Sequence, residues 1–273
     1  MDPFLAAEDL CVARGGIQIL EGISLGIQRG ELTALLGPSG SGKSTLLKTL
    51  GGVLAPERGR VQIGGRELSA LSETELAQTV GNVPQDDIIH TGLPLGRALS
   101  YAARLRFPRE APAAEVEAAV DRVLAAIELT DRADVRISRL SGGQRKRASL
   151  GVELLLAPPV LLLDEPTSGL DPGLERTSMR LFRRLADEGR AILCTTHSTD
   201  SLDLTHQLVL VVCGRLAFAG TLADALAHFE VSDAALIYKR LRDRKPQEWA
   251  QLYRRSEAFR RAASRPAPSP DRP

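Results

Sequence analysis

The sequence predicts an α/β fold: a mostly parallel sheet with helices on both faces, an antiparallel β unit at its N-terminal end, and an inserted helical subdomain. Three observations carry this. The apolar run Leu32 to Leu36 leads straight into GPSGSGKST, a spacing that needs a strand before it and a helix after it. Short, continuously apolar segments at 159–163, 191–196 and 208–213 alternate with helical patterns at 144–157 and 173–188, as strands buried on both faces do. Over about 86–150 the pattern changes, and ALSYAARLRF and AAEVEAAVDRVLAAIEL space their apolar residues three and four apart.

In chain order, LCVARGGIQILEGISLGIQRGELTALLG breaks into three strands between residues 5 and 36, with turn signals at Gly15-Gly16 and Arg29-Gly30. The glycine-rich loop follows, then a helix over Ser44 to Leu50. Pro108 and Pro112 split the insert into two helices. Ser141 in LSGGQ is a good N-cap for the helix starting near Gln144. The strand in PVLLLDEP ends on Asp164 and Glu165, and the strand AILCTT leads to His197. Between Lys239 and Arg265 stand ten basic residues against three acidic ones, interleaved with Trp249, Leu252, Tyr253 and Phe259. Such a segment is either a basic amphipathic helix on a membrane surface or a solvated helix packing its aromatics onto the main domain. RPAPSPDRP reads as a disordered tail or linker. The expected division is a main domain at 1–232, with its insert at about 86–150, and a basic helical extension with a Pro-rich tail at 233–273.

Composition narrows the function classes. The 273 residues carry 35 Lys plus Arg against 34 Asp plus Glu, a net charge of +1, which argues against a generic nucleic-acid binder. Hydrophobic residues at 43 % allow a sizeable core. The most apolar stretch, LLLAPPVLLLDEP, is cut by two prolines and two acids, so no spanning helix is expected. MDPFLAAEDL lacks the basic start and apolar core of a secretory signal. Cys11, Cys194 and Cys213 sit in apolar surroundings without metal-ligand spacing and are expected to be buried, reduced thiols.

The chemistry concentrates in four places. In the loop of Gly37, Pro38, Ser39, Gly40, Ser41, Gly42, Lys43, Ser44 and Thr45, glycines let the backbone close so that several amides point at one anion, and the following helix N-terminus adds positive potential. Lys43 reaches β and γ phosphates, and the Ser44 hydroxyl suits Mg²⁺. Asp164, at the carboxyl end of a buried strand, lies where ligands of a parallel sheet bind and is a second candidate for Mg²⁺. Glu165 is placed to polarise a water for in-line attack, and a neutral His197 to contact the γ-phosphate or orient that water. Gly142 and Gly143 bare amides beside Ser141, a second anion site. That site cannot easily serve the nucleotide held by Lys43 of the same chain, whereas a head-to-tail pair of chains solves the problem.

These motifs, GPSGSGKST, Gln85 in GNVPQDD, LSGGQRKR, LLLDEPTSGLD and the His197 of TTHS, in that order and spacing, resemble the ATP-binding subunits of ABC transporters from residue 5 to about 230. The run LSGGQRKRASLGVELLLAPPVLLLDEPTSGLDPG and the later GRLAFAG look most like the G subfamily of exporters and its bacterial relatives. The resemblance implies a P-loop NTPase core and an Mg²⁺-dependent ATPase that powers an exporter by head-to-tail dimer closure. It further implies that Gln85 senses Mg²⁺ and that Glu165 is the catalytic base, with His197 as switch. Ser141, Gly142, Gly143 and Gln144 would face the partner's ATP, and Asp171 would make a contact across the dimer, with Ser168 in the neighbouring loop. The implied partners are a transmembrane permease, as a separate chain or a further domain, and a second copy or paralogous ATPase subunit. The implied place is the cytoplasmic side of the membrane, held peripherally through that permease. Family members usually stack adenine on an early aromatic residue, and CVARGGIQ has none; Arg14, through its planar guanidinium, or Phe4 is the candidate substitute.

Two rivals remain open at this point. A soluble ABC-type ATPase acting on ribosomes or DNA would need a second cassette, a long coiled coil or zinc motifs, none of which this sequence contains. A P-loop kinase or GTPase would not need LSGGQ or an acid directly after Asp164.

Overall fold

The structure, a computed structural model, describes residues 3–86 and 89–264. The tail expected to be disordered, 265–273, lies outside the described residues, as does Asp87 of the GNVPQDD motif. The first unit is an antiparallel sheet. Strands β1 (Leu5–Arg14) and β2 (Ile17–Ile27) form a hairpin around Gly15 and Gly16, whose φ of 58° and 78° is the left-handed backbone a two-residue turn requires. β1 also pairs with β4 (Arg58–Ile63), which pairs with β5 (Arg66–Glu67), in the order β2-β1-β4-β5.

The second sheet is built from β3 (Leu32–Leu36), β6 (Val80–Val83), β7 (Val160–Leu163), β8 (Ala191–Thr195), β9 (Gln207–Val212) and β10 (Arg215–Gly220), in the order β10-β9-β3-β8-β7-β6. β9, β3, β8, β7 and β6 run parallel, and β10 alone is antiparallel. Both faces are covered, and alternate side chains go to different cores. Leu161 and Leu163 of β7 and Ile192 and Cys194 of β8 pack with the insert, whereas Leu162 and Leu193 pack with Leu46 and Leu50 and the antiparallel sheet. Leu46 and Leu50 belong to α1 (Lys43–Leu50), which starts directly from the glycine-rich loop. After β5, α2 (Glu73–Thr79) leads into β6.

The insert comprises α3 (Leu95–Arg106), α4 (Ala113–Ala126) and α5 (Gly142–Leu154). Pro112 takes the N-cap place of α4. Helix α5 starts two residues earlier than the periodicity suggests and stops three earlier. At its start Ser141 and Gln144 form a reciprocal capping box, and at its end Ala157, with φ of 49°, precedes Pro158 and Pro159. The remaining helices are α6 (Pro172–Asp187), α7 (Leu222–Phe229), α8 (Ala235–Arg240), α9 (Pro246–Arg255) and α10 (Glu257–Ser264).

The fold class is the one the sequence predicts, with four strands added. β4, β5, β6 and β10 escape a periodicity reading because they are short, or rich in Arg and Gly. The basic C-terminal segment packs its aromatics inward: Trp249 and Tyr253 are buried with Phe218 of β10 and Phe229 of α7, while Phe259 stays 38 % exposed. Residues on both sides of position 232 thus share one core cluster. One expectation about cysteine is overturned. Cys11 and Cys194 are buried, but Cys213 is exposed because it occupies the β9–β10 turn, with φ of 46°. Among the described residues no helix is long and apolar enough to cross a membrane.

Candidate active site

The glycine-rich loop joins the carboxyl end of β3 to α1, so the helix points its N-terminus at whatever the loop holds. Gly42 adopts φ of 102°, and a Cβ there would meet Leu20 Cδ2 at 2.8 Å, so the backbone approaches the hairpin as only glycine permits. Lys43 is 6 % exposed, and its Nζ donates to the carbonyls of Gly37 (2.8 Å) and Pro38 (3.2 Å), which holds the ammonium across the loop. Burial pulls its pKa below the usual lysine value, while the charges of Glu165 and Asp164 oppose that shift.

Beside the loop stands a cluster of oxygens. Ser44 Oγ donates to Asp164 Oδ1 (3.2 Å), and Thr195 Oγ donates to the same oxygen (2.8 Å) while accepting the Glu165 amide (2.6 Å). Asp164 and Glu165 directly follow β7 and Thr195 ends the adjacent β8, which puts them at one level, the carboxyl end of the parallel sheet, where Ser44 of α1 meets them. Glu165 has φ of 46°, a left-handed conformation that turns the chain sharply just past the end of β7. Its carboxylate is held from two sides, Oε1 against His197 Nε2 at 2.6 Å and Oε2 accepting from Gln85 Nε2 at 3.2 Å. Lys146 of α5 in turn donates to the Gln85 carbonyl, linking the insert to this corner.

The residues singled out from sequence thus fall in two groups. Lys43, Ser44, Asp164, Glu165, His197 and Gln85 are connected by hydrogen bonds or by charge. Residues 140–144 are apart, and no hydrogen bond joins them to 37–45 among the described residues. Ser141 and Gly142 are exposed, but Gly143 is buried, with Leu170 and Leu174 at 3.8 Å from its Cβ position. The segment expected to form a second anion site therefore offers a neighbour Ser141 and Gly142 more openly than Gly143. Asp171 Oδ1 accepts the amides of Gly173 and Leu174 and caps α6. Exposed Ser168 and Gly169 and the pair Glu165 and His197 border a cavity of ≈ 250 Å³.

Arg14 is exposed at the tip of the β1–β2 hairpin, next to Ile17, which is 67 % exposed. Phe4 cannot take the same place. It sits at the other end of β1, roughly 30 Å away at strand rise, under the Arg29 guanidinium 3.9 Å from its ring centre. Sequence reasoning missed Thr195, Lys146 and Ile17. Thr195 alone had a signal, a hydroxyl in an otherwise apolar strand.

The donors fit the groups the motifs imply. Ser44 and Asp164 present hard oxygen ligands suited to Mg²⁺. Inside the loop Ser41 Oγ is shut off from solvent without a hydrogen-bond partner, so the cradle has polar capacity left over.

This arrangement, a phosphate-binding loop with a paired acid at the end of the adjoining strand, defines a nucleotide-hydrolysing α/β protein. The family model described as ABC transporter matches residues 20–168, and the chain belongs to that family: it is an ATP-binding cassette that hydrolyses ATP. It is 46 % identical over 207 residues to the ABC transporter ATP-binding/permease protein Rv1747 of Mycobacterium tuberculosis, covering 76 % of this chain and 24 % of that protein. The ABC transporter G family member 14 of Arabidopsis thaliana is 36 % identical over 77 % of the chain and 33 % of its own length. The cobalt import ATP-binding protein CbiO of Rhodobacter capsulatus is also 36 % identical, over 83 % of this chain and 82 % of its own. The dimeric post-hydrolysis cassette MJ0796 bound to ADP and Pi superposes with a TM-score of 0.69 at 25 % identity, covering 80 % of this chain and 98 % of that one. The chain thus spans about a quarter to a third of the first two relatives.

Proposed function

We propose that this cassette drives an exporter by closing head to tail with a second copy, or with a paralogous subunit, around two Mg·ATP. The observation that carries the hydrolytic part is the Glu165 carboxylate, held by His197 and Gln85 beside the Ser44–Asp164–Thr195 cluster. Glu165 accepts a proton from the attacking water, His197 fixes the carboxylate's direction, and Lys43 with the loop amides takes up charge on the β and γ phosphates. Ser44 and Asp164, with Gln85 nearby, would hold Mg²⁺, which when bound neutralises charge on the β and γ oxygens. Exposed Ser141 and Gly142 support a partner's γ-phosphate reaching this surface, and the exposed Arg14 and Ile17 are available to cover the base. Dimeric MJ0796 supports the pairing.

Coupling is assigned to a groove of ≈ 840 Å³ in the insert, between Ile89 to Leu93 and the exposed Tyr101 and Leu105 of α3. It lies a few residues past Gln85, which supports a permease helix docking there and a place on the cytoplasmic side of the membrane. ATP favours closure only by as much as it binds the closed pair better. Export follows the G-family likeness, and ATP-dependent uptake into inside-out vesicles carrying the chain and its permease is the measurement that tests it.

Glu165→Gln should abolish turnover, keep nucleotide binding and lock the pair shut. Gel filtration with Mg·ATP that yields only monomer would overturn the sandwich for the isolated chain. Lys43→Ala should weaken ATP binding at least tenfold, roughly the worth of one charge-assisted contact; unchanged affinity would refute the assignment of the loop.

A further inference from the structure

Behind the phosphate-binding loop, Gly37 is buried against β9. Its carbonyl accepts Lys43 Nζ, and a Cβ built on it would lie 2.1 Å from the Val211 carbonyl of β9 and 2.6 Å from Ser41 Oγ. Its amide faces the hydroxyl of Tyr238, which reaches in from α8. Burial pushes that phenol's pKa up and the Gly37 amide pulls it back, so the group stays protonated. The Tyr238 Oη is closed to solvent, yet no donor or acceptor, the Gly37 amide included, sits in full hydrogen-bonding geometry with it. A second link comes from the β9–β10 turn, where the Gly214 amide donates to the Ser41 carbonyl at 2.9 Å.

We propose that Tyr238 is a positioning residue for the phosphate-binding loop, its buried hydroxyl completing a hydrogen bond from the Gly37 amide when the loop tightens on the nucleotide's phosphates. The inference rests on the reading that this loop holds phosphate. A shut-in hydroxyl without a partner is unfavourable, and one that gains its partner only in the tightened loop favours that loop. The short helix α8 then acts on the site through Gly37 without touching the substrate.

The physical signature is a split between stability and affinity. In the full chain, Tyr238→Phe keeps the ring and removes only the hydroxyl. It should raise the Kd for ATP about three- to tenfold, the range of one neutral hydrogen bond. KM should rise with it at nearly constant kcat, while the melting temperature without nucleotide holds or increases. Wild-type affinity in Tyr238→Phe overturns the proposal, as does an affinity loss that comes with an equal fall in melting temperature. Trp249→Phe serves as the packing control and should lower the melting temperature with Kd unchanged. If it weakens ATP binding as much as Tyr238→Phe does, the C-terminal helices act through packing and the positioning role fails. Lys43→Ala measured alongside separates the levels: unchanged affinity there refutes the phosphate loop itself, whereas a loss there with wild-type Tyr238→Phe refutes only Tyr238.

Discussion

Thr195 ties both acids of the site together. Its single hydroxyl accepts the Glu165 amide and donates to Asp164, so it fixes the backbone of one acid and the carboxylate of the other. Thr195→Val keeps the shape and removes both bonds, leaving a partly buried amide without an acceptor. The expected loss is about 1–3 kcal/mol of stability by chemical denaturation, and roughly a tenfold fall in kcat for ATP hydrolysis if about 1.4 kcal/mol of positioning is lost. A variant with full kcat would mean that Asp164 and Glu165 hold their places unaided. At this scale legibility follows the chemistry. Lys43, Ser44 and Asp164 could be named because phosphate and a hard cation demand those groups at fixed spacing. Thr195 showed only as a hydroxyl in an apolar strand, since its task is set by a neighbouring strand that sequence order does not reveal. Ile17 was invisible for a related reason, as an exposed apolar residue on a strand looks like any other surface position.

Helix α5 connects to the sheet through one buried acid. Glu153, whose side chain is 9 % exposed, accepts Arg106 of α3 at 2.5 Å and the Asn82 amide of β6 at 3.2 Å. Replacing it by Ala leaves both donors unmet and should cost about 2 kcal/mol, read as a lower denaturation midpoint with unchanged slope. Helix α7 carries a titrating group of another kind. His228 lies among the rings of Phe218, Phe229, Trp249 and Tyr253, and burial lowers its pKa below 6.5. The folded state therefore prefers the neutral ring, so its contribution is complete above pH 6.5 and fades as the pH falls through the lowered value. His228→Phe should flatten the acid side of the stability profile below about pH 6.5, and an unchanged profile would place the acid sensitivity elsewhere. Elements with strong periodicity, such as α3, α4 and β7, were readable in the sequence. β4 was not, because RGRVQI exposes its first three residues and buries only Val61 and Ile63.

Across the whole molecule, Gln85 of the proposed hydrolytic corner and Ile89 of the proposed docking groove stand four positions apart in the chain, so under that reading surface changes in the groove should be silent until a permease is present. Leu105 is 88 % exposed, and Leu105→Asp should leave stability within about 0.5 kcal/mol and basal ATPase intact. Stimulation of turnover by the reconstituted permease should be lost, and retained stimulation would move the docking site off this face. The order of the strands was legible only as a class, since parallel runs show burial on two faces but not which neighbours pair. A practical consequence comes from the edge strand β10. Its Phe218 is covered by Phe229 and by Tyr253 of a helix some thirty residues further along the chain. Trimming a recombinant cassette at residue 232 would therefore strip the lid from an apolar strand and invite strand-to-strand clumping, so soluble expression needs the helices through at least Tyr253.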